Sequence, residues 1–139
     1  MLAPEGRLIL FTLLITTIAA GMIGFYYDSE RLLVCYTVFG LLFLFSCNFF
    51  RDPVRSIPVD ESSIVAPADG KIIVIDQVND SEIGESANRI SIFLNVFNVH
   101  VNRVPMTCTV KDVKYIPGKF LAAYDHKASD ENEKTEILF

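Results

Sequence analysis

Little in this chain points to a metal, a disulfide or a nucleotide. Its three cysteines are too scattered for a framework: Cys35 and Cys47 fall inside one apolar run, Cys108 stands alone, and no CxxC spacing occurs. Three free thiols suit a reducing compartment. The two histidines, His100 and His126, have no ligand spacing around them that resembles a zinc site, so no metal is expected. No glycine-rich phosphate loop and no internal repeat is present, and no serine lies in a recognisable nucleophile context. Positive charge is scarce as well. The chain carries a net charge of −5, and beyond residue 50 ten basic residues stand against fourteen acidic ones. Bulk charge therefore gives no grip on nucleic acid or on anionic lipid, and no nucleic-acid partner is expected.

What the chain has in excess is apolar length at its start. Residues 8–27, "LILFTLLITTIAAGMIGFYY", and residues 32–50, "LLVCYTVFGLLFLFSCNFF", contain no charge. At about 1.5 Å per helical residue each run covers roughly the 30 Å of a bilayer's hydrocarbon core. A cleaved signal peptide has a shorter apolar centre, more positive charge before it and no second run four residues later. A buried helical hairpin of a soluble protein needs far more chain around it than remains here. Residues 1–50 thus read as a membrane anchor of two transmembrane helices. Only "DSER" joins them, so the helices lie antiparallel with both ends on one side. Arg7 precedes the first run and Arg51 and Arg55 follow the second, whereas the connecting loop carries Arg31 alone. The positive-inside rule then puts everything after Phe50 on the cytoplasmic side of the cell membrane.

Beyond a proline-punctuated linker at 51–63, the pattern from 64 to 139 is β. Short apolar or alternating segments, "IVAP", "KIIVIDQV", "RISIFLNVFNVHV", "TCTVKDVKYI" and "TEILF", are separated by turn chemistry at "ADG", a polar loop "NDSEIGESAN", "VPM" and "PGK". A helical turn is allowed at "KFLAAY", and the acidic "DHKASDENEK" with His126 reads as exposed. The expected fold is a two-helix transmembrane hairpin followed by an all-β cytosolic domain, a barrel or barrel-sandwich, because several short strands bury both faces that way.

The candidate chemistry is sparse. In "IFLNVFNVHVNRVP" a regular strand sends Asn98, His100 and Asn102 to one face and Phe97, Val99 and Val101 to the other. Imidazole exchanges protons near neutrality, and the flanking asparagines can fix its tautomer or contact a ligand. A surface histidine on an edge strand fits equally well. Asp69 in "PADGK" has the composition of a tight turn, or it is a carboxylate that orients or deprotonates a partner. Arg103 is either a solvated cation or a phosphate ligand.

An ordered series of segments adds to this: "FFRDP" (residues 49–53), "APADGK" (66–71), "IFLNVFNVHVNRVP" (92–105), "YIPGKFLAA" (115–123) and "KASDENE" (127–133), with "PEGR" near the start. Together they resemble the short membrane-anchored form of the phosphatidylserine decarboxylase family. The resemblance implies an enzyme of phospholipid biosynthesis that cuts itself at a Gly-Ser pair, leaving the serine as a covalent pyruvoyl group. That group forms a Schiff base with phosphatidylserine and serves as electron sink for decarboxylation to phosphatidylethanolamine. It also implies that Asp69 activates the serine for self-cleavage and that His100 serves proton transfer or the substrate's phosphate, with Asn98, Asn102 and Arg103 as candidate substrate contacts. Longer relatives carry a second histidine where this chain has Arg103, which binds phosphate but is no general base.

No Gly-Ser pair occurs in the 139 residues. By the resemblance, the pyruvoyl serine belongs beyond residue 139, the chain is incomplete and inactive alone, and its partners are phosphatidylserine in the membrane and a C-terminal pyruvoyl-bearing chain, with a homo-oligomer left open. The competing reading is a membrane-tethered, non-catalytic scaffold of lipoyl-like barrel-sandwich design, although no lysine here has the flanking residues of a carrier. A membrane hydrolase with a serine triad ranks below both.

Overall fold

A computed structural model describes residues 1–58, 60, 63–80, 82–124 and 128–139. They form two compact units, residues 1–57 with 67–103, and residues 58–66 with 104–139.

The first unit opens with a single 3-10 turn, Pro4–Gly6, that leads into helix α1, Arg7–Tyr26; helix α2 spans Glu30–Phe49. Both helices have 20 residues and are long and apolar enough to cross a membrane. Their threonines are satisfied locally: the hydroxyls of Thr12, Thr16 and Thr17 donate to carbonyls one turn back, at 2.9, 2.9 and 2.7 Å, and Thr37 does the same at 3.0 Å. Such back-bonding satisfies the threonine hydroxyls of an apolar helix. Large side chains point outward all round, Leu8, Phe11, Met22 and Phe25 on α1 and Val34, Leu41 and Leu44 on α2 being exposed. Water is a poor solvent for such a surface and hydrocarbon a good one.

Asp28, in a left-handed conformation at φ 48°, turns the chain between the helices, and Ser29 N donates to Gly24 O at 2.9 Å. At the opposite end the amino terminus is stitched to the chain leaving α2. Leu2 bridges Arg51, Ala3 N donates to Phe50 O at 2.8 Å, and Asp52 N donates to Met1 O at 2.7 Å. Gly6 lies under the Phe50 ring, where any β-carbon would stand 2.3 Å from Cγ. The two helices are thus tied at both ends.

The rest of this unit is a hairpin of β1, Lys71–Asp80, and β2, Gly84–Phe93, paired antiparallel from Lys71 opposite Phe93 to Asp80 opposite Gly84. The expected polar loop at 79–88 is therefore mostly strand. Asp80 supplies the turn's acceptor, taking hydrogen bonds from Glu82 N at 2.9 Å and Ile83 N at 3.1 Å, and Asn79 Oδ1 takes one from Ser86 N at 3.2 Å. With those donors satisfied, a short turn suffices.

In the second unit β3, Asp112–Ile116, pairs antiparallel with β4, Lys134–Leu138, and a single helical turn, α3, covers Ala128–Glu131. The helical turn expected at "KFLAAY" is absent, and "IVAP" is not a strand, although Val65 N donates to Pro105 O at 2.9 Å. The segments "YIPGKF" and "SDENE" meet here. Lys119 pairs with Glu131 at 2.6 Å, and the Asn132 side chain both accepts from Leu121 N at 2.7 Å and donates to Leu121 O at 2.9 Å. His126, expected to be exposed, lies outside the described residues.

The barrel expectation is met only in part. The described strands make two separate two-stranded antiparallel sheets and no closed barrel. Their apolar faces are open: Ile72, Ile75 and Ile90 on the first hairpin and Val113, Tyr115 and Ile137 on the second are each at least half exposed.

Candidate functional site

The segment between β2 and Arg103 carries the histidine, and it is not a strand. β2 ends at Phe93, and the chain then turns over Asn95 to Asn98. Two asparagine side chains enforce that turn. Asn98 Oδ1 accepts from Asn95 N and Asn95 Oδ1 accepts from Phe97 N, each at 2.8 Å, while Asn98 N donates to Asn95 O at 2.9 Å. Side-chain oxygens that capture nearby amides compete with ladder pairing, and here they win. The expected single polar face is consequently broken. Of Phe97, Val99 and Val101, Val99 alone is buried, and Phe97 is exposed.

His100 is fixed from two directions. Its ring stacks on Phe49, the last residue of α2, with centroids 4.0 Å apart and planes 26° from parallel. Its Nδ1 lies 3.0 Å from Asn98 O. A carbonyl only accepts, so Nδ1 carries the proton and Nε2 is the nitrogen that a neutral ring offers for proton exchange. Asn98 thus sets the tautomer through its backbone and spends its side chain on the turn. His100, Val101 and Asn102 then line a cavity of about 280 Å³ with Ala3, Glu5, Phe49 and Phe50. Its walls come from the amino terminus, the end of α2 and the histidine loop.

The chain leaving α2 holds the loop in place. Arg51 donates from Nη1 to Asn48 O at 2.7 Å and Asn48 Oδ1 at 2.9 Å, and from Nη2 to Phe97 O at 2.7 Å. A guanidinium there also suits the negative end of the helix dipole. Arg103 pairs with Asp52, and its backbone N donates to Pro67 O at 2.8 Å. Pro67 opens the bend that carries Asp69, whose carboxylate pairs with Arg55. Gly70 closes that bend against β2, since a β-carbon would come within 2.5 Å of Phe93 O. Both pairs are substantially exposed, Asp69 at 41% and Arg103 at 42%, so they fix direction more than they stabilise the fold.

The structure therefore gathers the anticipated residues unevenly. His100 and Asn102 share the cavity, Asp69 is engaged by Arg55, Arg103 by Asp52, and Asn98 serves the loop. Sequence reasoning did not place Phe49, Asp52 and Arg55 in the site. The signal available was that "FRDPVR" alternates charges that "PADG" and "NRV" can complement, a match that spacing cannot assign.

A family model described as Phosphatidylserine decarboxylase matches residues 42–139. The chain belongs to the phosphatidylserine decarboxylase family. Proteins named phosphatidylserine decarboxylase proenzyme are similar to it. That of Pelobacter propionicus is 46% identical over 125 residues, which is 90% of this chain and 55% of the relative. That of Chlorobium phaeobacteroides is 49% identical over 94 residues, 68% and 44% of the two chains, and that of Prosthecochloris aestuarii is 39% identical over 137 residues, 99% and 63%. The chain spans about half the length of the curated relatives it matches. No solved structure matches it. Of the segments that carry the resemblance, "PEGR", "FFRDP", "PADGK" and "NVFNVHVNRV" supply residues to the first unit, and "YIPGKFLAA" belongs to the second.

Proposed function

We propose that this protein is the membrane-anchored part of an enzyme that decarboxylates phosphatidylserine to phosphatidylethanolamine, facing the cytoplasm and completed by a C-terminal chain that bears a pyruvoyl group. One observation carries the reading: an imidazole with a defined tautomer lines a cavity at the end of an apolar helix long enough to span a bilayer. The charge asymmetry around the helices supports the cytoplasmic side. Open isoleucine faces on the first hairpin and the share of the relatives' length covered support further strands, closing a barrel, as the partner surface. The residues fit the group in kind, because a cavity walled by Ala3, Phe49, Phe50 and Val101, with an imidazole, an amide and the Glu5 carboxylate, suits a carbonyl and the ammonium of a serine headgroup.

A pyruvoyl group supplies the carbonyl that withdraws the electron pair left when carbon dioxide departs. The chain's own residues bind, orient and move protons. With α1 and α2 in the bilayer, lipid tails stay beside α2 while the headgroup enters the cavity lined by Phe49, Phe50 and His100. His100 Nε2 takes and returns the proton, its ring kept in register by Phe49 and by Asn98 O. Asn102 offers its amide to the headgroup, as the side chain of Asn98 does not. Arg103 reaches a phosphate by exchanging Asp52 for it, and Asp69, aligned by Arg55, is the base for serine activation. Anchoring raises the effective concentration of a membrane substrate without new contacts.

The test is to produce the full reading frame in membranes and to follow release of labelled carbon dioxide from carboxyl-labelled phosphatidylserine, with mass spectrometry of the chains. Release together with a pyruvoyl-blocked fragment is expected. An uncut chain, or no release from a cut one, overturns the proposal, and an uncut chain that is nonetheless stable would favour the scaffold.

A further inference from the structure

The histidine loop begins with an apolar tip. Val96 and Phe97 are 53% and 67% exposed, and the Phe97 ring stands edge-on to Phe45 of α2, centroids 6.3 Å apart at 85°. Phe45 lies one turn inside the helix from Phe49, about 6 Å along the axis at 1.5 Å per residue. The tip therefore reaches back past the end of α2 alongside the apolar run. Around Phe97 the backbone is bonded, with Phe97 N, Phe97 O and Asn95 N partnered by Asn95 Oδ1, Arg51 Nη2 and Asn98 Oδ1, which leaves the amide of Val96 to the hydrated glycerol layer. Outside hydrocarbon such bonding is optional, and within it unbonded amides are costly.

We propose that Val96 and Phe97 insert into the glycerol and upper acyl layer of the bilayer beside α2, giving the site a membrane contact separate from the two helices. The occupant of this patch is lipid, because the patch continues a helix surface whose exposed side chains, Leu41, Leu44 and Phe45, are themselves apolar. Arg51, bonded to Phe97 O, marks the polar boundary immediately above it. The insertion sets the cavity of Phe49, Phe50, His100 and Asn102 at headgroup height from the loop side as well as from the helix. This inference rests on the reading that α1 and α2 span a bilayer, and it is independent of the decarboxylation chemistry.

Residues 1–139 contain no tryptophan, so Phe97→Trp introduces a single emitter among them, and the signal is read as the difference from the chain without the substitution. The full chain carrying it is reconstituted in phosphatidylcholine vesicles whose acyl chains are brominated either near the glycerol or near the methyl end, and is titrated separately with aqueous iodide. Leu41→Trp, two turns inside α2, reports on the helix, and Val96→Trp replaces Phe97→Trp should that variant fail to accumulate. The expected result is strong quenching of the tip by shallow bromines, weak quenching by deep ones and little by iodide. A tip quenched by iodide and not by bromine, while Leu41→Trp is quenched by bromine, overturns the insertion and leaves the anchor standing. A tip shielded from iodide yet insensitive to bromine overturns it too, since protein then covers the patch. Loss of bromine quenching at Leu41→Trp overturns the spanning reading and this inference with it.

Discussion

Phe49→Leu isolates what the end of α2 contributes to the histidine. Leucine keeps helix propensity and most of the apolar volume at a half-buried position, but it removes the face on which His100 stacks at 4.0 Å. An aromatic pair of this kind contributes about 0.5–1.5 kcal/mol beyond the area it buries. The hydrogen bond from Nδ1 to Asn98 O survives the change, so the tautomer is kept while the ring gains freedom about it. If proton transfer requires the stacked orientation, the oriented fraction and hence kcat fall by about two- to tenfold, at ~1.4 kcal/mol per decade. KM stays near its starting value, because the cavity walls other than one ring are unaltered. Phe49→Tyr retains a stacking face and should hold the original rate. The assay is carbon dioxide release by the processed enzyme in vesicles of fixed phosphatidylserine content, with chain cleavage quantified in the same samples. Full activity in Phe49→Leu refutes the argument, and so does an equal loss in both variants, which would assign the effect to the helix end and not to stacking.

Three further outcomes follow from single contacts. Arg55→Met breaks the pair with Asp69, and with both partners about half exposed the stability cost should stay under about 1 kcal/mol by thermal melting in detergent; self-cleavage, followed by gel, should slow far more, with Arg55→Lys recovering part of it. Arg89 beside Asp76 holds that carboxyl below the ordinary carboxylate range. A depressed acid stabilises the fold above its unfolded pKa and loses that contribution as pH falls through its folded value, so amide exchange in the β1–β2 hairpin should accelerate below about pH 4, and Arg89→Ala should shrink the step to the part owed to Asp80, whose carboxyl the amides of Glu82 and Ile83 also hold down. Gly70→Ala puts a β-carbon on Phe93 O and should cost about 1–3 kcal/mol while displacing the Asp69 bend, read as a lowered melting midpoint together with lost self-cleavage.

The helices were legible because an uncharged apolar run of about twenty residues is too long for a strand. α1 and α2 fall within two residues of their expected limits. The histidine loop was not legible as a loop. Phe97, Val99 and Val101 alternate with Asn98, His100 and Asn102 as a half-buried strand does, and period-two patterning cannot tell a strand from a turn whose asparagines capture its own amides. The reverse error at 79–88 has the same cause. There the polar residues that read as loop are the acceptors, Asn79 and Asp80, that allow the strands to run almost to the turn. As for the site, the residue types were visible and the partners were not. Asp52 and Arg103 are 51 residues apart and Arg55 and Asp69 are 14 apart, and nothing local encodes either pairing.

Those pairings explain why the stretch after α2 has the composition it does. A flexible tether would need no particular charges, yet Arg51, Asp52 and Arg55 each hold a different part of the site: the loop tip through Phe97 O, the far end of the loop through Arg103, and the bend through Asp69. Surface contacts of this exposure contribute little to folding free energy, so stability is a poor reason for two ion pairs and a guanidinium–carbonyl bond in five residues. Direction is a better one. Each pair links the end of a helix that hydrocarbon would hold at fixed depth to a group whose chemistry depends on where it sits. The amino terminus, paired to Phe50, Arg51 and Asp52, closes the remaining side of the cavity. Anchor and site are on this account one device: shortening α2 by a turn would move His100, Arg103 and Asp69 together.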